Sequence, residues 1–235
     1  MAKSQNPNID IITRAVEQLG ELVDDMVFLG GCATGLLITN QAAPPIRQTI
    51  DVDTIVQVTS RAEYYQLSDA LRDKGFREDT SEDAPTCRWR GEAVILDVMP
   101  TDPSILGFAN RWYVFAMEHA VEIELPSGIS IRMVSAPYFL VTKLEAFDGR
   151  GEGDYQMSHD IEDIVAVLDG RVEIVSDVDN ADHELRRELS HRFSMLNSDE
   201  RFLQSIPGHM PPDTTSQLRV SHVRDVINAI AVLNN

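Results

Sequence analysis

Residues 49–58 (TIDVDTIVQV) constrain the fold more than any other stretch of this chain. Their β-branched side chains at alternating positions predict a strand. Residues two apart in a strand share a face, so Asp51 and Asp53 point one way while Ile50, Val52 and Thr54 point the other. Two carboxylates on an otherwise apolar strand are expensive to desolvate unless something neutralises them.

The surrounding sequence supplies both a sheet and helices to cover it. Apolar residues Ile9, Ile12, Val16, Leu19 and Leu22 recur at helical spacing and predict a helix over 8–23. A short strand over 24–29 stops at Gly30-Gly31, and 32–38 is apolar enough for a buried helix. After a Pro-containing loop and the strand over 49–58, Ser60 with Glu63 forms a capping box. It opens a helix running to Lys74, where Gly75 ends it. Strands over 86–90 and 93–99 join through Gly91-Glu92 as a hairpin, and a second hairpin spans 120–134 around Pro126-Ser127-Gly128. Beyond Val134 the pattern becomes helical. Helices are predicted from Ser135 and Pro137 to Phe147, from Ser158 onward after a Gly-rich loop over 148–154, over 182–197 and over 219–233. The expected class is therefore α+β, with a mixed sheet flanked by helices over 1–134 and a mostly helical region over 135–235.

Composition narrows the function classes. The chain has 235 residues, is 43% apolar and carries a formal charge of −18. That is too apolar for a disordered chain. No apolar run reaches membrane-span length and MAKSQNPNID lacks a signal-peptide core, so a cytoplasmic protein without membrane contact is expected. Cys32 and Cys87 cannot make a disulfide framework or a zinc site by themselves and read as buried thiols. The acidity is even, with 11 basic against 20 acidic residues up to Val134 and 9 against 18 after it. Neither half is a basic module, which argues against nonspecific binding to duplex DNA. Cationic substrates, metal ions or a basic protein partner remain compatible with it.

The acids of the strand have two readings. They form a solvent-facing pair at a sheet edge, or they hold a divalent cation. A third acid, Asp97, lies in the equally apolar segment Val94-Ile95-Leu96-Asp97-Val98-Met99. If that strand pairs beside the first, three carboxylates can hold one or two Mg²⁺ ions, as two-metal phosphoryl or nucleotidyl transfer requires. Upstream, Gly30-Gly31 at a strand-to-helix turn suits phosphate oxygens.

In this order, Phe28-Leu29-Gly30-Gly31, then Arg47-x-Thr49-x-Asp51-x-Asp53, then Asp97 resembles the DNA polymerase β-type nucleotidyltransferase superfamily. The Arg-x-Thr-x-Asp-x-Asp form resembles its minimal AbiEii-type members, toxins of type IV toxin–antitoxin systems. Lys143-x-x-Ala146-x-x-x-Arg150 and Asp160-x-x-Asp163 are similar to two further elements of those toxins, so the likeness spans residues 28–169. The resemblance implies a nucleotidyltransferase core over 1–134, with 135–235 completing the active site. It implies that Gly30, Gly31, Arg47 and Thr49 serve the NTP, that Asp51, Asp53 and Asp97 ligate Mg²⁺, and that Asp97 acts as base toward an acceptor hydroxyl. Lys143 and Arg150 would meet the phosphates, with Asp160 and Asp163 beside them. The implied acceptor is an RNA or tRNA 3′ end, with an antitoxin protein as partner.

Plainer readings stand beside these. Lys143, one of three lysines against seventeen arginines, could snorkel to the surface. Arg150 could pair with Glu152 or Asp154. Ser158, Asp160 and Glu162 suit a helix N-terminus, and His159 reads as solvated or capping. Trp89 and Trp112 read as core or rim anchors. Arg186, Arg187, His191 and Arg192 form either a solvated helix face or an acceptor-docking strip. A small-molecule nucleotidyltransferase acting on aminoglycoside-like polycations is the first competing function, and a non-catalytic nucleotide-binding module the second.

Overall fold

The computed structural model of the chain describes residues 6–151 and 153–234. The chain forms two compact units, one from Met1–Gly35 with Arg47–Ser135 and one from Leu36–Ile46 with Ala136–Asn235.

Among the described residues of the first unit, seven strands make one open mixed sheet: β1 (Met26–Leu29), β2 (Asp51–Val56), β3 (Arg77–Glu78), β4 (Arg88–Arg90), β5 (Ile95–Pro100), β6 (Val121–Glu124) and β7 (Ser130–Met133). Their order is β3-β4-β5-β2-β1-β7-β6. The pairs β2/β5 and β1/β7 are parallel and the others antiparallel. Every residue of β1 is buried, as a central strand covered on both faces requires. Helices α1 (Pro7–Leu19), α3 (Arg61–Asp73), α4 (Pro103–Leu106) and α5 (Tyr113–Glu118) flank it, with α1 and α5 packed on β2 and α4 on β5. Helix α2 (Gly30–Leu37) leaves β1 directly, and the boundary between units falls after its residue Gly35.

The fold is α+β, and local chemistry explains where it departs from the expected bounds. The predicted helix over 8–23 stops at Leu19, because Gly20 takes φ 60° and residues Gly20–Asp25 tighten into a 3₁₀ turn. Ser60 caps α3 by accepting from the Glu63 amide at 3.2 Å. The Glu63 carboxylate, however, returns to Thr59, one residue earlier than the expected capping box. Trp89 and Trp112 are both core residues, and both cysteines are buried and outside any disulfide.

The second unit is helical among its described residues: α6 (Ala136–Arg150), α7 (His159–Gly170), α8 (Ile174–Asp179), α9 (His183–Ser198), α10 (Glu200–Ser205), α11 (Thr214–Leu218) and α12 (Val220–Ala231). Helix α6 extends three residues past the expected stop at Phe147. Its ten buried residues end at Phe147; the added Asp148, Gly149 and Arg150 are exposed, and Arg150 is held at the helix end by Asp160. Helices α9 and α12 pack along each other, and α6 packs on α7, α8 and α9. Among the described residues no helix is long and apolar enough to cross a membrane.

Candidate functional site

Strand register brings the acids of the first unit together. In the parallel β2/β5 pair Asp53 lies opposite Asp97, and in the antiparallel β4/β5 pair Arg88 lies opposite Asp97. Paired residues project to the same side of a sheet, and Asp51 shares the face of Asp53 by its two-residue spacing. Asp51, Asp53, Asp97 and Arg88 therefore occupy one face.

Arg88 was not anticipated as part of this face. Its Nε donates to Asp97 Oδ1 at 2.8 Å, and its Nη2 donates to Asp97 Oδ2 at 2.7 Å and to Asp51 Oδ2 at 2.8 Å. The signal was present in the hairpin. A four-residue connection from Arg90 to Ile95 puts Arg88 across from Asp97, but alternation alone does not reveal a register. Hydrogen bonding to Asp97 outweighs burial and raises the Arg88 pKa, so the guanidinium stays charged. The neighbouring Cys87 thiol is pushed up to about 12 by burial and then by the Asp97 and Asp53 charges.

The glycine turn meets the same face. Leu29 pairs with Asp53, so Gly30 begins α2 beside that carboxylate. Gly30 has φ 71°, and a Cβ there would overlap the Asp53 side chain. Alanine at this position is strained by about 1–2 kcal/mol in the backbone, with overlap adding about 1–3 kcal/mol. Gly30→Ala is accordingly expected to lower unfolding free energy by roughly 2–5 kcal/mol in urea titrations, the sum of those two costs.

Asn8 ties the turn to β2 and also escaped the sequence reading, which saw only a helix start. It is fully buried. Its Nδ2 donates to the Arg47 carbonyl at 3.0 Å and the Gly31 carbonyl at 3.4 Å, while its Oδ1 accepts from the Thr49 amide at 3.0 Å. Thr49 Oγ1 in turn donates to the Asp51 carbonyl at 3.1 Å. Thr49 thus reaches the acidic strand through its side-chain hydroxyl, and the Arg47 carbonyl is tied to the same asparagine. No sequence pattern distinguishes this asparagine from its capping neighbour Asn6.

Three hard carboxylate donors on paired strands, with a glycine holding the backbone close to one of them, fit a divalent ion such as Mg²⁺ in donor chemistry and register. Among the described residues no three such donors already stand in a ligating cluster. Arg88 bridges Asp51 and Asp97 instead.

The second unit holds a separate set of charges. Lys143 on α6 is only 7% exposed, which overturns the snorkelling alternative. Its Nζ donates to Asp160 Oδ1 at 3.0 Å and Asp163 Oδ2 at 2.7 Å, both acids lying on one face of α7. Arg150, at the end of α6, closes a fork on Asp160 through Nε at 3.0 Å and Nη2 at 2.9 Å. Of the alternative partners for Arg150, Glu152 lies outside the described residues, and the Asp154 carboxylate accepts from the Gln156 and Met157 amides. Burial raises the Asp160 pKa, but the Arg150 hydrogen bonds and the Lys143 charge outweigh it and leave it lowered. Ser158 caps α7 by accepting from the Ile161 amide, and exposed His159 pairs with Glu162.

In α9, Arg187 and His191 are exposed. Arg192 is bound to Asp148 at 2.7 Å, and Arg186 to the Asp179 carbonyl at 2.8 Å. Two of the four cations of the suggested strip are therefore already engaged. No family model and no curated protein matches the chain.

Proposed function

We propose that this chain is a Mg²⁺-dependent nucleotidyltransferase of the DNA polymerase β type, similar to the AbiEii-type toxins. The observation that carries the reading is the common face of Asp51, Asp53 and Asp97, with Gly30 abutting Asp53. In the reaction an acceptor hydroxyl oxygen bonds to the α-phosphorus of an NTP, the α–β phosphoanhydride bond breaks, and pyrophosphate leaves. One or two Mg²⁺ ions would neutralise the phosphates and activate the hydroxyl.

Asp51, Asp53 and Asp97 would hold the metal, and Asp97 would take the proton of the acceptor hydroxyl. The glycine turn opening α2 would offer backbone N–H groups to phosphate oxygens. Arg47 and Thr49 would fix the strand entry through Asn8. The resemblance also gives Lys143 and Arg150 a phosphate role; within the second unit they are engaged by Asp160 and Asp163.

An RNA or tRNA 3′ end is the acceptor the resemblance favours, together with an antitoxin protein as partner. The charge of −18 favours a second acceptor class, small polycations of the aminoglycoside kind. Incubation with Mg²⁺ and each α-labelled NTP, against total tRNA and an aminoglycoside panel, separates them. Label on tRNA is the expected result. Label on an aminoglycoside moves the acceptor to the second class, and absence of label with every NTP and acceptor overturns the enzyme.

A further inference from the structure

We infer that Arg88 is the resident counter-cation of the Asp51–Asp53–Asp97 face, and that a divalent ion binds there by competing with its guanidinium. The inference rests on the metal-dependent reading above and deepens it by naming what controls metal entry.

The guanidinium engages both oxygens of Asp97 and one oxygen of Asp51. Charge-assisted bonds of this kind are among the strong ones, and they occupy oxygens that an ion would need. A doubly charged ion arriving beside a retained guanidinium also meets its repulsion. The side chains of Arg88 and Asp51 are 20% and 29% exposed against 8% for Asp97, so the approach lies on the Asp51 side.

Two bonds hold Arg88 to Asp97 and a single one to Asp51, so the Asp51 bond is the one that opens. Arg88 then stays on Asp97 as a positioning residue, because the β4/β5 register keeps it opposite that acid, and each Asp97 oxygen keeps a second acceptor site for the ion. Without metal, the same arginine keeps the acids from repelling one another. The guanidinium thus offsets one of the three carboxylate charges before any ion arrives.

Calorimetric Mn²⁺ binding to the full chain tests this with wild type, Arg88→Gln, Arg88→Lys and Asp53→Asn. Relieving one unit charge about 6 Å from a divalent ion at water-like screening is worth about a tenfold tightening, expected for Arg88→Gln. Arg88→Lys keeps the charge but loses the fork, and is expected to fall between Arg88→Gln and wild type. It also keeps the test decisive if Arg88→Gln does not fold. Saturating Mn²⁺ should likewise raise the melting temperature of the Arg88 variants more than that of wild type. Mn²⁺ binding that is abolished by Asp53→Asn but unchanged or weakened in the Arg88 variants overturns the competition while leaving the metal reading standing. No Mn²⁺ binding by wild type or the Arg88 variants overturns the metal reading, and the competition with it.

Discussion

Lys143→Met is expected to cost about 3–5 kcal/mol of folding stability, the penalty for removing one partner of a buried ionic set. Methionine nearly fills the volume of lysine, so the loss reports charge rather than a cavity. In the variant Asp163 loses the 2.7 Å bond from Nζ, and Asp160 retains only Arg150, a side chain 71% exposed. The triple variant Lys143→Met, Asp160→Asn, Asp163→Asn removes the uncompensated charges together. It is expected to recover most of the loss, because replacing a whole buried ionic set is often close to neutral. Urea unfolding of the single and triple variants measures both. A single-variant loss that the triple variant does not recover would mean that packing around the lysine stem, not the charges, holds α6 to α7.

The pH dependence of the same set has a definite sign. Asp160 has a lowered pKa in the folded chain. Its contribution to stability is therefore complete above the unfolded carboxylate value of about 3.9 and is lost as pH falls through the lower folded value. Wild type should lose that increment on acidification. Lys143→Met has less of it to lose, because a protonated Asp160 needs no cation, so the stability gap between the two should narrow below about pH 4. A gap that stays constant from neutral pH to the acid limit would contradict the charge account.

Much of the acidic face could be read from the chain alone because strands carry a two-residue period. Asp51 and Asp53 must share a face, and a second strand bearing Asp97 needs only to pair alongside. What alternation cannot supply is register. Arg88 stood in the sequence as one arginine of Arg-Trp-Arg, and only its position opposite Asp97 gives it a role. Asn8 was hidden for a related reason, since its partners lie 23 to 41 residues away. Lys143 was legible in kind but not in place. A lysine among Phe139, Leu140, Val141 and Leu144 points to burial, whereas its partners on α7 depend on how two helices meet. The short elements β3, α4, α5, α8, α10 and α11 have two to six residues each, too few to establish a period. The 3₁₀ turn at Gly20 was missed because Leu22 and Val23 continue the apolar pattern past the glycine that breaks the backbone.

Asp53→Asn is expected to lower NMP transfer by about 100-fold or more, since even groups that only support metal ligands commonly cost 10–100-fold. The substitution is nearly isosteric and removes the anionic ligand while keeping the shape pressed against Gly30. Among the three acids Asp53 is the one whose substitution leaves the hydrogen bonds of Arg88 to Asp51 and Asp97 in place. Asparagine at either of those positions would also break the cross-strand ion pair and mix a folding defect into the kinetics. Asp53 is only half-buried, so its substitution should change unfolding free energy by no more than about 1 kcal/mol, near the centre of the distribution for point variants. The two measurements together are what count. Lost transfer with intact stability supports a chemical role for the carboxylate, and lost transfer with lost stability returns Asp53 to a structural one. Full transfer by a folded Asp53→Asn chain removes this strand from the proposed metal site, leaving Asp51 and Asp97 as the partners of an arginine in an ordinary cross-strand ion pair.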